Sequence, residues 1–131
     1  LKIFTPIIEK LPKILPRLPF DPIITNIENI GIWANISSKG NFNTRHSHPE
    51  CDISGVYYID THNNCGNLIL DSYSYNQHNK LSSYLLNKHG KTIVPENDKI
   101  VFFDSNCMHR VTRNMSDKVR VSVSFNLRID V

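Results

Sequence analysis

The stretch "VRVSVSFNLRID", Val119 to Asp130, decides the fold. Val119, Val121, Val123, Phe125, Leu127 and Ile129 alternate with Arg120, Ser122, Ser124, Asn126, Arg128 and Asp130. A period of two places one set on each side of an extended chain, and the β-branched and aromatic residues on the apolar side favour a pleated backbone over a helix. The segment is therefore a strand with one apolar and one polar face. Working backwards from it, short runs rich in Val, Ile, Tyr and Phe recur at Ile30–Ser37, Ile53–Asp60, Asn67–Tyr73, Lys91–Val94, Lys99–Asp104 and Arg110–Arg113. They are separated by turn clusters such as "SSKGN", "THNNCGN", "PENDK" and "NMSDK", the punctuation of an all-β domain.

Seven short strands of this kind predict two sheets closing over a shared interior, a double-stranded β-helix or jelly-roll, cupin-like barrel. The 131 residues suffice for one domain with one core. Residues 30–131 are expected to form the barrel core, and residues 1–29 an N-terminal arm. Five prolines between Pro6 and Pro22 interrupt that arm, which leaves room for a short helix around Ile7–Lys13. Residues 74–90 lack a firm period and read as a long excursion with a helical turn near Leu81–Asn87, a candidate cover for a substrate. The first residue is Leu1 rather than Met, so the chain is read as a possible N-terminally truncated fragment.

Three cysteines, Cys51, Cys65 and Cys107, form an odd set without a CxxC pair, which argues against a disulfide framework or a thiolate zinc site and for a reducing, cytoplasmic setting. The formal charge of +3 is carried by scattered lysines and arginines, so no nucleic-acid track is evident. No apolar run approaches the roughly 20 residues of a membrane span.

Chemistry concentrates in few residues. His46 and His48 stand at i and i+2 in a polar loop before Pro49, so an extended backbone would turn both imidazoles to one side, where two nitrogens can chelate one ion. Alone, such a pair reads more readily as solvated turn residues than as ligands. His109, delivered by a short loop after the apolar run Ile100–Phe103, is the sequence-distant third ligand that an open metal site on a jelly roll needs. Arg120 and Ser122 share the polar face of the last strand. An arginine facing a barrel interior is costly unless an anion meets its guanidinium fork; facing solvent, it needs no such partner. His62, His78 and His89 lack comparable framing and read as loop histidines, and Cys107 reads as an apolar filler.

The ordered motifs "W-A-N" at Trp33–Asn35, "H-S-H-P" at His46–Pro49, "SGVYY" at Ser54–Tyr58, "VPENDKIVFF", "MHRV" and "VRVSVSFN" resemble the Fe(II)/2-oxoglutarate-dependent dioxygenases, and most closely an uncharacterised phage-associated branch. The resemblance spans about residues 30–129. It implies Fe(II) and 2-oxoglutarate as cofactors, dioxygen as cosubstrate, and hydroxylation of a peptide, nucleobase or small metabolite with release of succinate and CO2. It implies His46, His48 and His109 as iron ligands, with Arg120, Ser122 and Tyr58 holding the far carboxylate of 2-oxoglutarate and Tyr57 facing the other side of its strand. His48 departs from the superfamily, which has an aspartate or glutamate there; three neutral imidazoles leave one more positive charge at the metal. Asp52 is the alternative acidic ligand, ahead of Glu50. Two rival readings use the same barrel. A cupin would bind metal through the same histidines but finds no role for Arg120 and Ser122, and Pro95 stands too far before His109 for its second motif. An inert jelly-roll binding or structural module would have kept the fold and lost the chemistry.

Overall fold

A computed structural model of the chain describes residues 26–71 and 90–130. The expected arm helix at Ile7–Lys13, the helical turn at Leu81–Asn87, and His78 and His89 lie outside the described residues. Eight strands are present: β1 (Asn26–Ser37), β2 (Asn43–His46), β3 (Ile53–Asp60), β4 (Leu68–Leu70), β5 (Lys91–Ile93), β6 (Ile100–Asp104), β7 (His109–Val111) and β8 (Arg120–Asp130). They form two four-stranded antiparallel sheets, ordered β1-β8-β3-β6 and β2-β7-β4-β5. This is the jelly-roll, double-stranded β-helix architecture expected. Among the described residues no helix is long and apolar enough to cross a membrane.

Four boundaries differ from expectation. β1 begins at Asn26, four residues before the predicted core boundary, because the length of β8 gives it partners out to Asp130. Residues 43–46 are strand β2 rather than loop. Their side chains are mostly exposed and carry no alternating pattern; the strand exists because β7 pairs with it. His109 opens β7 instead of ending a loop, and β4 is confined to Leu68–Leu70.

Register fixes which side chains face inward. In the larger sheet Ser122 lies between Asn35 and Tyr58, Ser124 between Trp33 and Val56, and Asn126 beside Ser54. Val56 and Ser54 in turn neighbour Val101 and Phe103. Directly opposed residues of neighbouring strands share a face. Val56, Tyr58, Val101 and Phe103 pack with Leu68, Leu70 and Ile93 of the second sheet, so this is the interior face. The polar face of β8 therefore points inward. Its apolar face points away from the second sheet and is buried as well: Val123 is 7% exposed, Phe125 and Leu127 0%. Gly55 makes room there, since a Cβ on it would overlap the Phe125 ring and stand 2.9 Å from the Val101 carbonyl oxygen.

Candidate metal centre

β2 and β7 bring the first two histidines together. His46, the last residue of β2, is the direct partner of His109, the first of β7, and their ring centroids are 4.3 Å apart. His48 follows two residues on. Its backbone N–H donates to the Ser105 carbonyl at 2.8 Å and its carbonyl accepts from Cys51 N–H at 3.2 Å, which turns the chain back toward β7. One ligand nitrogen from each of His46, His48 and His109 lies within 4.8 Å of the others.

Hydrogen bonds orient two of the rings. Nδ1 of His46 sits 2.6 Å from the Thr44 carbonyl and Nδ1 of His109 2.8 Å from the Cys107 carbonyl. A carbonyl only accepts, so these contacts assign the proton to Nδ1 and leave the Nε2 lone pair free for a metal. His109 is 5% exposed, with its ring edge-on to Phe103 at 4.7 Å. Burial pulls its pKa down to about 4, against the opposing Cys107 carbonyl contact, so the ring is neutral at physiological pH. His48 is held below the ordinary histidine range by burial first and by His46 second, with Glu50 opposing. Three imidazoles of this spacing are a donor set for a divalent ion with open positions.

Asp52 is not in this group. Its carboxylate accepts from the Ile129 backbone N–H at 2.8 Å, which ties the start of β3 to the end of β8. Glu50 is exposed and likewise outside it. His62 lies in the turn after β3, 3.4 Å from Asp60. The three cysteines are buried free thiols, and burial chiefly raises the Cys107 pKa to about 11, as an inert filler requires.

A cavity of about 80 Å³ runs inward from the histidines along the polar face of β8, reaching Tyr58, Ser122 and Arg120. Arg120 is 4% exposed. Its Nη1 donates to the Cys65 carbonyl at 2.9 Å, with the Gly66 carbonyl at 3.5 Å, while Nε has no partner. Gly66, at φ +93°, allows this approach: a Cβ there would crowd the Thr112 carbonyl and stand 3.0 Å from Arg120 Nη1. Among the described residues no carboxylate pairs with Arg120. Tyr58 is buried beside it, and desolvation pushes the phenol up to about 12 despite the guanidinium, so it remains a neutral hydroxyl. Tyr57 faces the other way and donates to Asp98 at 2.7 Å. Sequence reasoning had not placed Ser54, Asn126 and Ser124 in the cavity. Ser54 Oγ donates to Asn126 Oδ1 at 2.7 Å and Asn35 Nδ2 to Ser124 Oγ at 2.7 Å. The signal was available, because all share the period-two register of Arg120 and Ser122.

Residues 31–126 match the family model described as "Putative 2OG-Fe(II) oxygenase". Comparison with curated proteins finds no match. Among solved structures, an oxidoreductase of the 2OG-Fe(II) oxygenase family from Burkholderia pseudomallei superposes with TM-score 0.64 at 12% identity, covering 83% of this chain and 48% of that one. A Pseudomonas putida prolyl-4-hydroxylase gives 0.56 at 18% identity, covering 82% and 54%. The non-heme monooxygenase ThoJ in its apo form gives 0.59 at 10%, covering 79% and 46%. At these identities the superpositions show a shared fold. The chain spans about half the length of these three structures.

Proposed function

The chain belongs to the 2OG-Fe(II) oxygenase family, whose name implies Fe(II) and 2-oxoglutarate, and from that premise we propose that it is a dioxygenase in which His46, His48 and His109 hold the iron. Arg120, Ser122 and Tyr58 receive the far carboxylate of 2-oxoglutarate. The observation that carries this reading is Arg120: a buried guanidinium with an orphaned Nε and, among the described residues, no carboxylate partner, in the same cavity as the three histidines. Such a group is costly to bury unless an anion completes it.

When bound, Fe(II) and 2-oxoglutarate supply the oxidising power, consuming dioxygen and releasing succinate and CO2. The chain's own work is placement. The carbonyls of Thr44 and Cys107 fix the His46 and His109 rings with Nε2 free. Arg120, already held by Cys65, offers its remaining N–H groups to a carboxylate, and the neutral Tyr58 and Ser122 hydroxyls can each donate to the same group. Phe103 and Leu68 give the cavity apolar walls between the histidines and Arg120.

The motif string from Trp33 to Tyr58 favours the phage-associated branch, and the three buried free thiols favour a reducing, cytoplasmic setting. The substrate is a molecule presented at the mouth of this cavity, where Trp33 stands. The reading is tested by calorimetric titration of 2-oxoglutarate into the zinc-loaded chain, zinc standing in for iron. Arg120→Met should weaken binding by about 100-fold, the loss expected when a buried charged pair loses one partner. Equal affinities in the two proteins would overturn the assignment of Arg120.

A further inference from the structure

Three buried side-chain atoms among the described residues lack a hydrogen-bond partner: Asp104 Oδ2, Arg120 Nε and Ser37 Oγ. Asp104 stands opposite Ile53, on the face turned away from the cavity. The other two belong together. Ser37, the last residue of β1, is the direct cross-strand partner of Arg120, so both side chains leave the sheet on its inner face. Both line a hollow between β1 and β2 with Asn35, Asn41 and Asn43, and no aspartate or glutamate is among the described residues that line it. Ser37 is 7% exposed, and its backbone fixes its place in the fold, since its carbonyl accepts from Asn114 Nδ2 at 2.9 Å. Its hydroxyl takes no part in that contact. A buried donor without an acceptor destabilises a fold, and two of them on paired residues ask for a common acceptor.

Resting on the reading of Arg120 as the residue that meets the far carboxylate of 2-oxoglutarate, we propose that Ser37 is a further binding residue for that carboxylate, donating from β1 while Arg120 donates from β8. Arg120 Nη1 is taken by the Cys65 carbonyl. That leaves the edge of the guanidinium carrying Nε and Nη2, whose two N–H groups lie parallel and suit the two oxygens of one carboxylate. A carboxylate oxygen accepts more than one hydrogen bond, so the oxygen on Nε can also take the Ser37 hydroxyl. The carboxylate is then held from two strands, and Ser37 favours an oxoacid long enough to place a second carboxylate there.

Calorimetric titration of the zinc-loaded full chain tests this, with Ser37→Ala beside the wild type. Binding of 2-oxoglutarate should be about ten-fold weaker in Ser37→Ala, the loss of one hydrogen bond to a charged group. Zinc affinity should be the same in both, and the melting temperature without ligand level or higher, because the hydroxyl has no partner in the protein to lose. Pyruvate, which has the oxoacid end and lacks the far carboxylate, should not distinguish the two proteins. Equal 2-oxoglutarate affinities, with Arg120→Met still weakened, overturn the role of Ser37 and leave that of Arg120 standing. A weaker affinity that comes with a lower melting temperature, or that extends to zinc or pyruvate, shows Ser37 to be structural and overturns the role as well. Failure of the wild-type chain to bind 2-oxoglutarate overturns the underlying reading, and the inference with it.

Discussion

The two faces of β8 are both buried and could hardly differ more. The outward face carries Val123, Phe125 and Leu127; the inward face carries Arg120, Ser122, Ser124 and Asn126, among which Arg120 and Ser122 are 4% and 3% exposed. A sandwich gains stability by filling its interior with apolar side chains, and this one does so around Val56, Leu68, Leu70, Val101 and Phe103. Along β8 it forgoes that gain, lining the interior with groups that are expensive to bury. The comparison teaches that one strand divides two tasks: its outer face holds the sheet in place, and its inner face lines a polar cavity, as the proposed ligand site requires.

The sharpest way to break this division is to exchange the two effects. Phe125→Ala removes a ring that is fully buried and edge-on to Phe102 at 5.7 Å, and should cost about 3–5 kcal/mol of stability in denaturant unfolding. Its folded fraction should still bind zinc with unchanged affinity. Gly55→Ala drives a methyl against the same ring and the Val101 carbonyl, for a loss of about 1–3 kcal/mol, again with metal affinity intact. Arg120→Met on the inner face should behave oppositely. Without ligand its melting temperature should stay level or rise, by the equivalent of about 1 kcal/mol, because an incompletely satisfied buried charge is replaced by an apolar chain of similar reach. A large destabilisation would show that Arg120 is structural. The smallest effect belongs to Asp52→Asn, which keeps an acceptor for the Ile129 N–H but removes the charge. Zinc affinity should not change, and stability should fall by less than about 1 kcal/mol; a ten-fold loss of zinc affinity would restore Asp52 as a ligand.

The same strand shows how far the sequence could be read. Its alternation was plain, and so were the presence of a jelly roll and the pairing of a local His-x-His with a distant histidine. Which face turned inward was not, because a period of two is symmetric and the decision rests on the partner sheet. β2 was invisible for a related reason. Asn43, Thr44 and Arg45 have no strand signature, and only the ladder to β7, with His46 opposite His109, makes them extended. Asp52 misled because proximity in sequence to Pro49 and His48 suggested a ligand, while its backbone and carboxylate are committed to the β8 edge at Leu127 and Ile129. The roles of Arg120, Ser122 and Tyr58 rested on the family resemblance, and register explains why they meet: Tyr58 and Ser122 are direct partners, and Arg120 is two residues along the same face.

The central claim is that the three histidines and Arg120 form one site for iron and an oxoacid. Its most direct test is anaerobic addition of Fe(II) and then 2-oxoglutarate to the intact chain, followed in the visible spectrum. The account predicts a charge-transfer band that appears only after the oxoacid, is absent in His109→Ala, and requires far more 2-oxoglutarate in Arg120→Met. Iron binding without a band, or a band indifferent to both substitutions, would contradict it.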